Sequence, residues 1–255
     1  MVRRIPILEH RVAQLDEGLR NPATGDDPVL IVQSFLLAMA TISDPSAMEL
    51  AHVEADPSDA DEVVHRSALL TALGRHAPDL MHGPVRRDAQ FWVGGERVGV
   101  LARERFVDVG AAATSPIGTK PFFVGLFTST GLAGTHGMWR IGLDLSRSSL
   151  WPRPWRTWSI MPAATARVYE ADTAAAWVRF VTSYPSVRNG LIEPDWRSAA
   201  RDYDGVHVGL HTVAAVQGLY LRSGQGLLAP AYWDTECTFW LHWCFESAVL
   251  VDVTS

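Results

Sequence analysis

His82-Gly83-Pro84-Val85-Arg86-Arg87-Asp88-Ala89-Gln90-Phe91-Trp92-Val93-Gly94-Gly95-Glu96-Arg97-Val98-Gly99-Val100-Leu101 is where the chain changes character. Before it the apolar residues recur at helical spacing. Within it, Phe91–Val93, a Gly94-Gly95 turn and Arg97–Leu101 read as a β-hairpin. Working back from this boundary, residues 6–20 place Ile7, Leu8, Val12, Leu15 and Leu19 near one helical face, and Asn21-Pro22 ends the pattern. Pro28 opens an apolar helix over 28–42, with Asp26 and Asp27 suited to its N-terminal dipole. A third helix begins near Pro45 with Asp44 as cap, and a fourth follows the acidic stretch Asp56–Glu62 and runs to about Leu73. The first 80 or so residues read as wholly helical.

Working forward, strands are expected at Phe122–Thr128, Trp139–Leu145, Ala166–Glu170, Val206–Leu210 and Thr238–Phe245. Short helices are expected at Thr173–Tyr184 and Asp195–Arg201. Strands alternating irregularly with short helices, after a helical block, argue for an α+β fold with a mixed, largely antiparallel sheet. The division is a helical N-terminal subdomain over 1–85 and an α+β domain over 86–255 that carries the chemistry.

Composition agrees with that division. The chain has 255 residues, 47% of them hydrophobic, enough for a substantial core, which excludes disordered and collagenous classes. All ten tryptophans lie at or beyond Trp92. Residues 1–90 carry 14 Asp and Glu against 8 Arg, and the remainder 14 against 14, so the net charge of −6 belongs to the helical block. That balance disfavours a globally basic nucleic-acid binder and makes the acidic helices a candidate surface for a protein partner. Two cysteines, Cys237 and Cys244, do not make an oxidised scaffold, and the apolar run Val29–Ile42 is short for a membrane span. A cytoplasmic protein without membrane attachment is expected. Of the 22 basic residues 21 are arginine, and Lys120 is the one lysine, a bias that reads as genomic.

Four stretches could carry chemistry. Trp139–Trp158 (WRIGLDLSRSSLWPRPWRTW) combines four tryptophans with Arg140, Arg147, Arg153 and Arg156. Guanidinium forks grip phosphates and indoles stack on bases, so Trp139, Arg140, Arg153, Trp155 and Arg156 are candidates for holding a nucleotide or single-stranded nucleic acid. The same residues also read as a core-lining strand with arginines stacked on tryptophan. Phe127-Thr128-Ser129-Thr130-Gly131 runs an apolar strand into three hydroxyls, without Walker or Rossmann spacing around it. Asp234-Thr235-Glu236 leads into an aromatic strand where Glu236, Thr238, Trp240 and His242 would share a face. A carboxylate among indoles suits catalytic acids and a solvated strand start alike. Asp204 and His207, with His211, form the last cluster and suggest general-base chemistry. A hydrolase triad of Ser129, His207 and Asp204 lacks the GxSxG elbow, and the Cys237, His242 and Cys244 spacing fits no metal pattern, so no metal is expected.

The order of these parts resembles the arginine-class mono-ADP-ribosyltransferases, which present an arginine on an early strand, then a Ser-Thr-Ser-like strand end, then a late strand with a catalytic glutamate. Thr128-Ser129-Thr130 looks like the second element and Asp234-Thr235-Glu236 like the third, 107 residues after Ser129. Arg97, Arg103 and Arg105 all precede the Ser129 strand, and each is a candidate for the first element. The resemblance implies an NAD-consuming enzyme, an intracellular toxin or modifier. Ser129, Thr128 and Thr130 would organise the NAD site, and Glu236 would orient the nicotinamide ribose for cleavage. Arg97, Arg140 and Trp139 would hold the dinucleotide. Arg153, Trp155, Arg156 and His207 would face the acceptor, whether a protein side chain, a nucleic-acid base or water. The competing reading is a non-catalytic nucleotide or single-stranded nucleic-acid binding module built on 139–158.

Overall fold

The computed structural model describes residues 5–17, 25–42, 53–95, 100–121, 124–132, 134–146 and 152–255. The chain is an α+β protein in which helices precede a mixed sheet. In order, its elements are α1 (Ile5–Glu17), α2 (Pro28–Ile42), β1 (Glu54–Ala55), α3 (Pro57–Val64), α4 (Ala68–His76), α5 (Pro78–Met81), β2 (Gln90–Gly94) and β3 (Leu126–Thr130). Then come α6 (Met138–Ser146), β4 (Trp155–Pro162), β5 (Val168–Ala171), α7 (Ala174–Ser183), β6 (Pro185–Arg188), β7 (Leu191–Pro194) and α8 (Trp196–Ala199). The last are β8 (Gly205–Val208), α9 (Leu210–Val216), β9 (Tyr220–Ser223), β10 (Gly226–Leu227), β11 (Cys237–Trp240) and β12 (Phe245–Thr254).

Local chemistry sets the helix starts. Pro57 and Pro78 occupy first-turn positions, where their missing N–H costs nothing. Asp56, Ser67, Thr173 and Asp195 cap α3, α4, α7 and α8 with side-chain acceptors. Asp61 adds a long-range cap, taking the N–H groups of Ala174 and Ala175 at the start of α7. Arg11 closes the opposite kind of end. From α1 it donates to the carbonyls of Ala214 (3.2 Å) and Gln217 at the C-terminus of α9, and burial lowers its pKa to about 10. The early helices therefore share one apolar core with the later elements, from Leu15, Ile31 and Phe35 through Trp177, Trp196 and Trp233 to Phe239.

The main sheet has seven strands in the order β12-β4-β2-β3-β11-β8-β5. All its pairs are antiparallel except β5 with β8. β1, β9 and β10 form a small second sheet, and β6 pairs with β7. Several sequence expectations are corrected. Residues 139–145 are helical, within α6, because Gly137 (φ +92°) turns the chain and Ser129 accepts the Trp139 N–H at 3.0 Å. Val100 and Leu101 lie outside any strand, and β2 pairs with β3 and β4 in place of a local hairpin; residues 96–99, with Arg97, lie outside the described residues. In place of one helix from after Glu62 to about Leu73 there are two: α3 takes in the acidic stretch from Pro57, and α4 begins after its cap Ser67. β1 interrupts the helical block by pairing with β9. Thr238–Phe245 divides into β11 and the start of β12, and β8 stops at Val208 because α9 begins at Leu210. The helix expected near Pro45 and the start of the strand at Phe122 also fall outside the described residues.

Gly209, between β8 and α9, has no room for a side chain: a β-carbon there would strike the Met81 carbonyl oxygen and stand 3.0 Å from its carbon. Because the obstacle is backbone, Gly209→Ala is expected to cost about 1–3 kcal/mol, read as a lower urea midpoint with an unchanged slope.

Candidate active site

β3 alternates its side chains in the ordinary way, so Leu126, Thr128 and Thr130 face one side of the sheet and Phe127 and Ser129 the other. Registry places Thr130 beside Gln90 of β2, and Thr128 beside Thr238 of β11. Thr238 in turn lies beside His207 of β8, and His207 beside Glu170 of β5. Glu236 enters just ahead of β11. Five neighbouring strands, or the residue leading into one of them, thus each put a polar group on one face.

These groups form one hydrogen-bonded chain. Trp240 Nε1 donates to Thr128 Oγ1 at 2.8 Å, and Thr128 donates to Gln90 Oε1. Gln90 Nε2 donates to Thr130 Oγ1 at 2.9 Å, which donates to Glu236 Oε1 at 2.8 Å. The Thr130 main-chain N–H meets Glu236 Oε2, also at 2.8 Å. From the other side His207 Nε2 lies 3.1 Å from Glu236 Oε1, and its Nδ1 lies 2.5 Å from Glu170 Oε2. Glu170 Oε1 receives the Val85 N–H at 3.0 Å. His207 and Glu236 are fully buried, while the side chain of Glu170 is 25% exposed and brings the chain of bonds to solvent.

Burial alone would lower the pKa of the His207 imidazole. Hydrogen bonds to Glu170 and Glu236, and the charges of both, outweigh it and raise the value to about 9. At neutral pH His207 is an imidazolium donating to a carboxylate at each ring nitrogen.

The other sequence candidates lie elsewhere. Ser129 is buried on the opposite face, where its hydroxyl holds the start of α6. Trp139 lines a cavity of about 270 Å³ between α2 and α6, walled by Leu36, Leu37, Ala40, Met138, Gly142, Leu143 and Leu145 and closed by Asp234 and Thr235. Arg140 is bound by Asp252 at 2.8 Å and Asp144 at 3.3 Å. Arg140 and Arg153 lie 5.3 and 4.5 Å from the centre of the buried Trp155 ring, and Arg156 is half-buried on β4. Arg103 and Arg105 are exposed on a short 3-10 turn. Asp204 accepts the Arg167 N–H and does not join Ser129 and His207 in a triad. His242 bonds Asp108 and the Ala200 carbonyl. Among the described residues no group of three His, Cys, Asp or Glu stands where it could hold a metal ion, and no helix is long and apolar enough to cross a membrane.

Gln90 and Glu170 carry no local pattern that marks them: Gln90 opens β2, whose other buried positions are Val93 and Gly94, and Glu170 is out of phase with Ala171, the buried position of β5. Comparison with family models, with curated proteins and with solved structures found no match to this chain.

Proposed function

We propose that this chain is an NAD-consuming enzyme that cleaves the nicotinamide–ribose bond and transfers ADP-ribose to an acceptor. The observation carrying this reading is the pair of hydrogen bonds from Thr130 N–H and Oγ1 to the two oxygens of Glu236, which joins the Thr-Ser-Thr strand to the Asp-Thr-Glu turn. The functional hydroxyl of the motif is that of Thr130, and Ser129 serves by fixing α6 and with it Trp139.

Among the described bonds, Glu236 Oε1 receives two donors and Oε2 one. A carboxylate oxygen has two acceptor sites, so Oε2 retains one, which a ribose hydroxyl reaches when the cover over this fully buried carboxylate opens. As the C–N bond breaks, its electron pair leaves with nicotinamide and positive charge develops on the ribose carbon, where a fixed carboxylate stabilises it. A lone pair of the acceptor then closes on that carbon, and the acceptor's proton is released to solvent. The largely apolar cavity beside Trp139 lies on the α6 side of the sheet, opposite the face that carries the Glu236 carboxylate, and is not placed to hold the nicotinamide against it. We assign the protein to the cytoplasm, where its cysteines, Cys237 and Cys244, would stay as the free thiols they are here.

Glu236→Gln keeps the shape of the side chain and removes its charge. Nicotinamide release from NAD by the purified protein is expected to fall about 100-fold or more, the scale of losing one electrostatic group at a transition state. Wild-type protein that leaves NAD intact, or a folded variant that turns it over at the wild-type rate, overturns the reading. Tryptophan quenching by oligonucleotide with a steep salt dependence and no NAD loss would favour a binding module.

A further inference from the structure

The turn leading into Glu236 is held from two sides. Asp234 adopts φ +62°, a left-handed conformation uncommon outside glycine, although aspartate is among the residues that enter it most readily. On one side the buried Gln217 accepts the N–H groups of Trp233 (2.9 Å) and Asp234 (3.2 Å) at Oε1 and donates from Nε2 to Asp234 Oδ1 at 2.7 Å. On the other, Lys120 Nζ donates to the Trp233 carbonyl at 2.6 Å and stands 3.8 Å from Asp234 Oδ2. The ammonium also lies 5.5 Å from the ring centre of Trp139, 5.8 Å from that of Phe127 and 6.0 Å from that of Trp233, with its side chain only 8% exposed.

This is the chain's single lysine, against 21 arginines. In a sequence so biased, the exception stands where a guanidinium is the wrong shape. A compact ammonium can point one donor at a carbonyl while aromatic faces surround it, whereas the planar arginine fork needs a wider slot and spreads its five donors in one plane.

We infer that Lys120 is a positioning residue: together with Gln217 it fixes the left-handed turn Trp233–Asp234 that delivers Glu236 to Thr130 and His207. Its effect on catalysis rests on the NAD reading above, whereas the placement of the glutamate does not.

The test compares Lys120→Met and Lys120→Arg with wild type. In both variants kcat for nicotinamide release is expected to fall about 10-fold or more while KM for NAD changes less than about 2-fold. The His207 C2 proton, followed by NMR, is expected to titrate in wild type near 9 and in both variants closer to the ordinary 6.5, as Glu236 drifts from the imidazolium. A lysine with a merely structural role would lower thermal stability and leave that midpoint in place. Should Lys120→Met fold poorly, Lys120→Arg carries the same decision with the charge retained. A folded variant with wild-type kcat and wild-type His207 midpoint overturns the inference. If wild type does not consume NAD, the functional reading fails alone, and the His207 midpoint still decides the role of Lys120.

Discussion

His207→Leu is expected to destabilise the fold by about 3–5 kcal/mol, the scale of breaking a buried ion pair by removing one partner. The variant leaves the Glu236 carboxylate fully buried, with Thr130 as its remaining hydrogen-bond partner and no ion pair among the described residues. Glu170 suffers less, because its side chain is partly exposed and keeps the Val85 N–H. The cost should therefore be concentrated in Glu236. A second substitution separates the alternatives. His207→Leu with Glu236→Leu replaces both charged partners by apolar groups and should recover most of the loss, since an uncompensated buried charge costs more than the pair contributes. Urea unfolding of the four proteins of this cycle yields the coupling directly. If the double variant is no more stable than His207→Leu alone, the His207–Glu236 pair is not what the histidine supports.

The parts of this arrangement differ in how far a linear reading can reach. α2 and α7 were legible because their start signals are local: Pro28 after two aspartates, and Thr173 three residues before the N–H it caps. Residues 139–145 misled for a physical reason. Trp139, Ile141, Leu143 and Leu145 alternate as a strand would, while Met138, Ile141 and Leu145 also fit one helical face, and a segment so short satisfies both periods. What decides it is the Ser129 hydroxyl on β3, a cap ten residues away that no local pattern announces. The α+β class followed from texture, but the strand order did not, because pairings such as β11 with β3 and β8 join residues more than 100 and about 30 positions apart.

The site shows the same division. Thr130, His207 and Glu236 were recognisable as polar residues inside apolar strands, yet nothing in the chain's order paired His207 with Glu236 and Glu170 in preference to its near neighbour Asp204. Composition alone makes the tryptophan and arginine segment conspicuous. In the fold Arg140 is held by Asp252 and Thr254 from β12, so its charge is met by residues more than a hundred positions away. Lys120 carried the opposite lesson. Its rarity was visible, and only the surrounding rings of Phe127, Trp139 and Trp233 give that rarity a physical reason.

Raising the pH from 6.5 to 9 is expected to remove about 3 kcal/mol of stability, the free energy corresponding to a histidine pKa moved from 6.5 to about 9. The direction follows from proton counting. The folded protein binds the His207 proton more tightly than the unfolded chain, so this stabilisation is complete below 6.5 and is lost as the pH rises through 9. His242, whose pKa is raised by the Ala200 carbonyl and Asp108 against the opposing effect of burial, adds to the same slope. Above pH 9 the thiols of Cys237 and Cys244, each pushed up to about 12 by burial, extend it, because the unfolded thiols ionise first. His82 acts oppositely: burial and the neighbouring His211 lower its pKa, so its contribution is present at neutral pH and fades as the pH falls through 6.5. Together these place the stability maximum between about pH 6 and 7. Urea midpoints measured at pH 5.5, 6.5, 8 and 9.5 should trace that curve, and the His207→Leu, Glu236→Leu protein should lose most of the decline between 6.5 and 9. A wild-type curve that stays flat across that interval would mean that His207 does not hold its proton against both carboxylates.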